Sequence, residues 1–316
     1  MESNNSNAEE KTTKTRSLKF RKGITPVLFL LPFTVLFCMF VVFPFIYGIT
    51  ISFFNWNMFD PAKRVFCGFD NYVKILFNKE SIYFSYFWSG LKYTLLFVVI
   101  SVPSLICISL LFAALLDKKP FGYRFFRFAL FAPTVLSIAT VIIIWSWQFY
   151  TNNGVINEVL ISIGLPKVDW LNKQPWAWIA ILIITIWWTI GTNMVIFGAA
   201  MKNVDKNLYE AAQLDGANAF RQFFSITLPG IKNQLFMCII MTMIASFNIY
   251  GQPQMLTGGG PVENGEFTTM VLMMRIRNIG MGANANPGVA SAMSVCMGLI
   301  MIVLSLIQNK LTKKED

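Results

Sequence analysis

Six long stretches of this chain carry almost no charge, and about 20 apolar residues are what a helix needs to cross the hydrocarbon core of a bilayer. They run roughly over Ile24–Phe54, Tyr93–Leu116, Phe128–Tyr150, Pro175–Met201, Asn233–Tyr250 and Pro287–Gln308. The fifth is the least regular, because Gly251, Pro253 and the run TGGGP at Thr257–Pro261 interrupt it. Pro26, Pro32 and Pro44 are expected to kink or shorten the first. Its apolar run is about twice the usual length of a secretory leader's and no small-residue cleavage site follows it, so it reads as a retained helix.

Composition agrees. The 316 residues are 55% hydrophobic and 13% charged. A soluble domain carries about 25% charged residues, so lipid is the main solvent here. There is no histidine. The commonest general base and metal ligand is thus missing, which disfavours hydrolytic and metal-dependent chemistry. Cys38, Cys67, Cys107, Cys238 and Cys296 lie far apart with no C-x-x-C pair, and read as apolar fillers rather than disulfides or zinc ligands. The net charge of +10 flanks the apolar runs, which suits a membrane surface better than nucleic acid.

Most of the 26 lysines and arginines fall on one side if the amino terminus is inside. They include Lys11, Lys14, Arg16, Lys19, Arg21 and Lys22 before the first span, Lys118, Lys119, Arg124 and Arg127 after the second, and Lys202, Lys206, Arg221 and Lys232 around the fourth connection. Lys310, Lys313 and Lys314 end the chain. Both termini and the fourth connection are therefore expected to face the cytoplasm. Residues 1–22 form a polar tail expected to be disordered, 23–311 the transmembrane unit, and 312–316 a short carboxy-terminal tail. No internal repeat and no separate soluble domain is visible.

The fourth connection, about 203–231, reads as a two-helix hook. Asp205 is a suitable N-cap, with Leu208 and Ala212 on one face behind it. Gly216 breaks the pattern where a left-handed turn is easy. Asn218 caps a second helix, on which Phe220, Phe223, Phe224, Thr227 and Leu228 form a stripe until Pro229 stops it. Spacing alone leaves two readings open: a connection packed under its own helices, or a device that holds a partner.

The run EAAQLDGANAFRQFFSITLP resembles the cytoplasmic EAA loop of ATP-binding cassette importer permeases, in their carbohydrate branch. Glu210, Ala211, Ala212, Asp215, Gly216, Ala217, Phe224, Ile226, Leu228 and Pro229 carry the likeness. GFDNYVKIL at Gly68–Leu76, LTGGGP at Leu256–Pro261 and SAMSV at the start of the last span extend it. The resemblance implies an all-α polytopic type I importer permease. It also implies that Glu210, Ala211, Ala212, Asp215, Gly216 and Ala217 seat in a cleft of a separate ATPase. The sequence has no Walker A run, G-x-x-x-x-G-K-[ST]. The resemblance therefore puts ATP and Mg on that partner, with no cofactor in this chain. It further implies a second related permease, an ATPase dimer and an extracellular or lipid-anchored solute-binding protein.

Polar groups inside spans mark pathways. Thr185, Trp188, Thr189 and Thr192 share one face of the fourth span. Ser246, Asn248, Tyr250 and Gln252 crowd the outer end of the fifth. Hydroxyls, amides and aromatic faces suit a sugar. Close helix packing around Gly191 and an interfacial tryptophan belt explain the same residues without a ligand. The resemblance favours the first reading, although Thr185 stands where the family has an asparagine. No Lys or Arg falls inside the six stretches, which favours a neutral solute over a phosphate ester such as glycerol phosphate. An ion-coupled secondary transporter would keep charged residues in its spans, and a membrane enzyme would pair carboxylates there. Neither pattern is present.

Overall fold

A computed structural model describes residues 27–56, 64–282 and 285–313. Pro26 and the expected amino-terminal tail lie outside the described residues. The carboxy-terminal helix continues through Lys313, into the stretch expected to be a tail.

Helix α1, Val27–Ile51, is apolar throughout, yet only Ile51 in it is buried. A π-turn at Cys38–Val42 precedes Pro44, whose missing N–H makes such a widening inexpensive. The chain then enters a short antiparallel ribbon of β1 (Phe54–Asn55) and β2 (Val65–Phe66), and helix α2 (Asp70–Leu76). Asn71 is fully buried and donates to the carbonyls of Ser52 and Phe54 at 2.9 and 3.0 Å. Tyr72 and Ser52 share a hydroxyl bond of 2.6 Å. Through these bonds the GFDNY segment ties down the carboxy-terminal end of α1.

Helix α3, Ile82–Asp117, starts well before the expected Tyr93, where the Ser81 hydroxyl caps it. At 36 residues it is about 54 Å long, against about 30 Å of hydrocarbon. Its first turns therefore extend past the hydrocarbon core. It packs most extensively on α7, Trp176–Met201, and this pair is the spine of the bundle.

The third expected span is not one helix. It consists of α4 (Tyr123–Phe131), a 3-10 turn (Ala132–Val135) and α5 (Ile138–Gln148), and the two arms are bent by 107°. Pro133 tightens the turn, Leu136 is extended, and Ser137 recaps the chain by accepting from the Thr140 N–H. A short helix α6 (Val155–Ser162) follows, and its buried Asn157 donates to the carbonyls of Thr151 and Val168, closing the loop that leads to α7.

Beyond α7 come the two hook helices, α8 (Lys206–Leu214) and α9 (Ala219–Gln222). After them α10 (Leu228–Gly230) leads into α11 (Lys232–Phe247). The fifth span is broken as well, since Asn248–Tyr250 interrupt it before α12, Gly251–Leu256. With the bent pair counted as one, the described residues hold up to six helices long and apolar enough to span.

The end of the bundle where α3 begins carries the ribbon β3–β4 (Val262–Glu263 with Glu266–Phe267) and helix α13 (Leu272–Met281), which packs on α3 and on the last helix, α14 (Pro287–Lys313). The Thr94 hydroxyl of α3 accepts from the Leu272 N–H at 2.9 Å and donates to the Gly90 carbonyl at 2.8 Å. Among the described residues two short ribbons accompany the expected all-α bundle. Each strand has two residues, too few for an alternating pattern to be read.

Candidate functional site

The breaks in the third and fifth spans open a cavity of about 450 Å³ between α3, α5, α7 and α11. Thr185, Trp188, Thr189, Thr192, Ser246, Asn248, Tyr250 and Gln252 all line it.

The threonines are partly committed. The hydroxyls of Thr185 and Thr189 donate to the carbonyls of Ile181 and Thr185, both at 2.7 Å. Their protons are spent along the helix, so they face the cavity as acceptors. Thr192 is exposed on the same wall. The Trp188 indole N–H donates to the Leu136 carbonyl at 3.1 Å, at the break of the third span. Only its ring face is left for a ligand.

On the facing wall the Ser246 hydroxyl accepts from Ser101 at 3.0 Å, and the Asn248 amide donates to the Ile244 carbonyl at 2.8 Å. Asn248 keeps its side-chain oxygen as an acceptor. The Tyr250 hydroxyl is buried without a partner among the described residues. The Arg277 guanidinium sits 4.9 Å from the Tyr250 ring centroid. No Lys or Arg falls within the six apolar stretches, but α13 brings Arg277 beside this wall residue from outside them. On the same helix, Arg275 lies 4.4 Å from the Tyr86 ring. Burial pulls its guanidinium below the ordinary arginine value, while Tyr86 and Glu266 act the other way.

Sequence reasoning missed Asn193 and Thr242, which line the cavity and bond across it, amide to hydroxyl, at 3.0 Å. Asn193 lies eight residues after Thr185 on the same face, and Thr242 four before Ser246. The helical period therefore held the signal. Phe97, Leu105, Ile138 and Met241 supply apolar wall.

The hook lies at the opposite end of the bundle from the ribbons. Asp205 accepts from the Asn207 N–H at 3.0 Å and Asn218 from the Arg221 N–H at 2.9 Å, so both expected caps form. Gly216 has φ of +73°. The chain does not stop at Pro229. A π-turn at Phe223–Thr227 carries the helix through the proline, and the turn comes at Ile231. Tyr209 and Thr227 lock the two arms through a hydroxyl pair at 2.8 Å. Glu210, Ala211, Asp215 and Gly216 are exposed, while Ala212 and Ala217 are half-buried. Beside them Leu214 is 90% exposed and Phe220 73%. The hook is pinned internally, and its apolar tip is left uncovered.

Several membrane-crossing helices, a cavity with polar side chains among them and an uncovered hook at one end suit a membrane transport subunit. The chain belongs to the family described as binding-protein-dependent transport system inner membrane components, which it matches over residues 75–315. It is 31% identical, over 93% of its length and 98% of the relative's, to the probable ABC transporter permease protein YurN of Bacillus subtilis. It is 30% identical to the sulfoquinovosyl glycerol transport system permease protein SmoG of Agrobacterium fabrum, over 96% of this chain and 94% of that one. The lactose transport system permease protein LacF of Rhizobium radiobacter is 29% identical, over 94% and 97%. The fold is shared with a crystal structure of a bacterial ABC transporter involved in the import of the acidic polysaccharide alginate, at a TM-score of 0.79 and 22% identity, covering 95% of this chain and 99% of that one. The chain is thus a multi-pass inner-membrane permease subunit.

Proposed function

We propose that this chain is the permease of an ATP-driven importer that carries a sugar or oligosaccharide through the cavity between α7 and α11. The observation that carries the reading is the cavity wall: acceptor hydroxyls at Thr185 and Thr189, the amide of Asn248 and the ring faces of Trp188 and Tyr250 around a volume of about 450 Å³. Acceptors pair with sugar hydroxyls, and aromatic faces pack against sugar C–H surfaces. The glycosides and sugars in the relatives' names, sulfoquinovosyl glycerol and lactose, agree.

In this reading the chain is one half of a heterodimer with a second, homologous permease. Two copies of a separate ATPase hold ATP and Mg. Glu210, Ala211, Ala212, Asp215, Gly216 and Ala217 seat in that ATPase, with Leu214 and Phe220 buried by the contact. Both termini and the hook face the cytoplasm, and a solute-binding protein delivers the sugar to the outer end. Closure of the ATPases moves the hooks, and the cavity alternates between the two sides. Hydrolysis itself belongs to the partner.

The test is uptake by proteoliposomes holding the co-purified complex and its binding protein. Accumulation of a radiolabelled sugar that needs internal ATP and survives collapse of the proton gradient supports the reading. Uptake that follows an ion gradient without ATP refutes it.

A further inference from the structure

The break in the fifth span leaves one buried polar group with nothing to bind. Gln252, in the first turn of α12, lines the cavity and is 7% exposed, yet its side-chain amide makes no hydrogen bond among the described residues. Other buried polar side chains on the wall are committed within the protein: Thr185 to Ile181, Thr242 to Asn193 and Ser246 to Ser101. A buried amide without partners costs stability, and a leucine of similar size would avoid that cost. The amide is therefore placed for a bond that comes from the cavity.

Its chemistry says which kind of bond. The amide offers an acceptor oxygen and N–H donors side by side in one plane. Two hydroxyls on adjacent ring carbons match it, one donating and the other accepting. A carboxylate, sulfonate or phosphate only accepts. Among the described residues no Lys, Arg, Asp or Glu lines the cavity, and Arg277, although close to the Tyr250 ring, is not part of the lining. On α7 the hydroxyls of Thr185 and Thr189 have spent their protons and turn lone pairs to the solute. An anion there would lose hydration with no counter-charge to replace it. We infer that Gln252 reads the solute, and that the solute is an uncharged sugar presenting two adjacent ring hydroxyls to this amide. The inference rests on the sugar reading above and narrows it. The acidic character of alginate, the polysaccharide imported by the transporter that shares the fold, does not carry over to this cavity.

The test uses the co-purified complex in proteoliposomes with internal ATP and the same solute-binding protein throughout, so that differences between variants belong to the permease. Neutral oligosaccharides from starch and plant cell-wall hydrolysates are offered together with acidic ones from pectin and alginate, and the accumulated species are identified by mass spectrometry. Neutral species are expected inside. For the sugar accumulated, Gln252→Leu should raise KM about tenfold, through two lost hydrogen bonds, and should melt at or above the wild-type temperature. Among its monodeoxy analogues, one lacking a hydroxyl of the pair should be taken up about tenfold less well by the wild type, and no less well than the parent sugar by Gln252→Leu. Accumulation of acidic species ahead of neutral ones overturns the inference. So does a Gln252→Leu complex with unchanged KM, or one that melts lower, since the amide would then support the fold. If no sugar of either kind accumulates, the proposed function itself fails. Accumulation that is indifferent to Gln252 sinks only the inference.

Discussion

Trp188 and Leu136 meet across the cavity wall, the indole N–H of one donating to the carbonyl of the other at 3.1 Å. The carbonyl belongs to the extended residue between the two arms of the third span. One bond therefore ties a candidate sugar platform to the break that makes room for the sugar. Trp188→Phe keeps a ring face and loses the bond. It should cost about 1 kcal/mol of stability, seen as a lower melting temperature, with the uptake KM changed by no more than about twofold. Trp188→Ala loses the ring and should raise KM by about tenfold. If both variants change KM equally, the ring is not the contact.

The crossing of the third and fourth spans depends on a missing side chain. A Cβ on Gly191 would fall 2.6 Å from the Leu130 carbonyl oxygen and 2.7 Å from the Phe131 Cα, both backbone. Gly191→Ala should therefore force the helices apart at about 1–3 kcal/mol. A Cβ on Gly251 would strike only the terminal Cδ1 of Ile138, at 2.4 Å. That atom can rotate away, so Gly251→Ala should be the milder change. Thermal unfolding of the two variants in detergent checks the order. A Gly191→Ala protein as stable as wild type would mean that the helices have slack at this crossing.

At the hook, a side chain on Gly216 meets nothing within 4 Å, but the residue sits at φ +73°. The obstacle is conformational, not steric. Gly216→Val should strain the turn by about 1–2 kcal/mol, while Gly216→Asn, which tolerates that region, should be close to neutral. If the hook transmits the ATPase stroke, Gly216→Val and Glu210→Lys leave insertion intact and separate hydrolysis from uptake. The ratio of ATP consumed to sugar accumulated then rises severalfold. Wild-type ratios in both variants would remove the hook from the coupling path.

Much of this was legible because the relevant physics is local. The spans follow from hydropathy over windows of one helix. The cavity face of the fourth span follows from Thr185, Trp188, Thr189 and Thr192 recurring at the helical period, and the hook from two caps around a glycine. What stayed hidden depends on residues far apart in the chain. The bend after Val135 has Pro133 as its one local sign, which predicts a kink but not 107°. The Leu136 carbonyl at that bend is satisfied by a tryptophan 52 residues away. Asn193 and Thr242 were hidden differently: each sat on a face already singled out, but their pairing across 49 residues is tertiary.

Arg277 is the other long-range addition, and it bears on what the cavity admits. Its guanidinium lies 4.9 Å from the ring of Tyr250, whose hydroxyl is buried without a partner among the described residues. A cation over that ring steadies its plane, at about 0.5–1 kcal/mol for an exposed pair. Arg277→Lys keeps a charge over the ring, and Arg277→Gln does not. For a neutral sugar the Gln variant should raise KM about two- to fivefold through a looser ring, with kcat unchanged and the Lys variant near wild type. A substrate bearing a carboxylate or sulfonate would feel the charge itself. The loss in Arg277→Gln would then deepen at low ionic strength and shrink as salt screens it. Measuring KM for the variants across a salt series distinguishes the two cases, and a flat, wild-type response in Arg277→Gln would show that the residue has no part in the path.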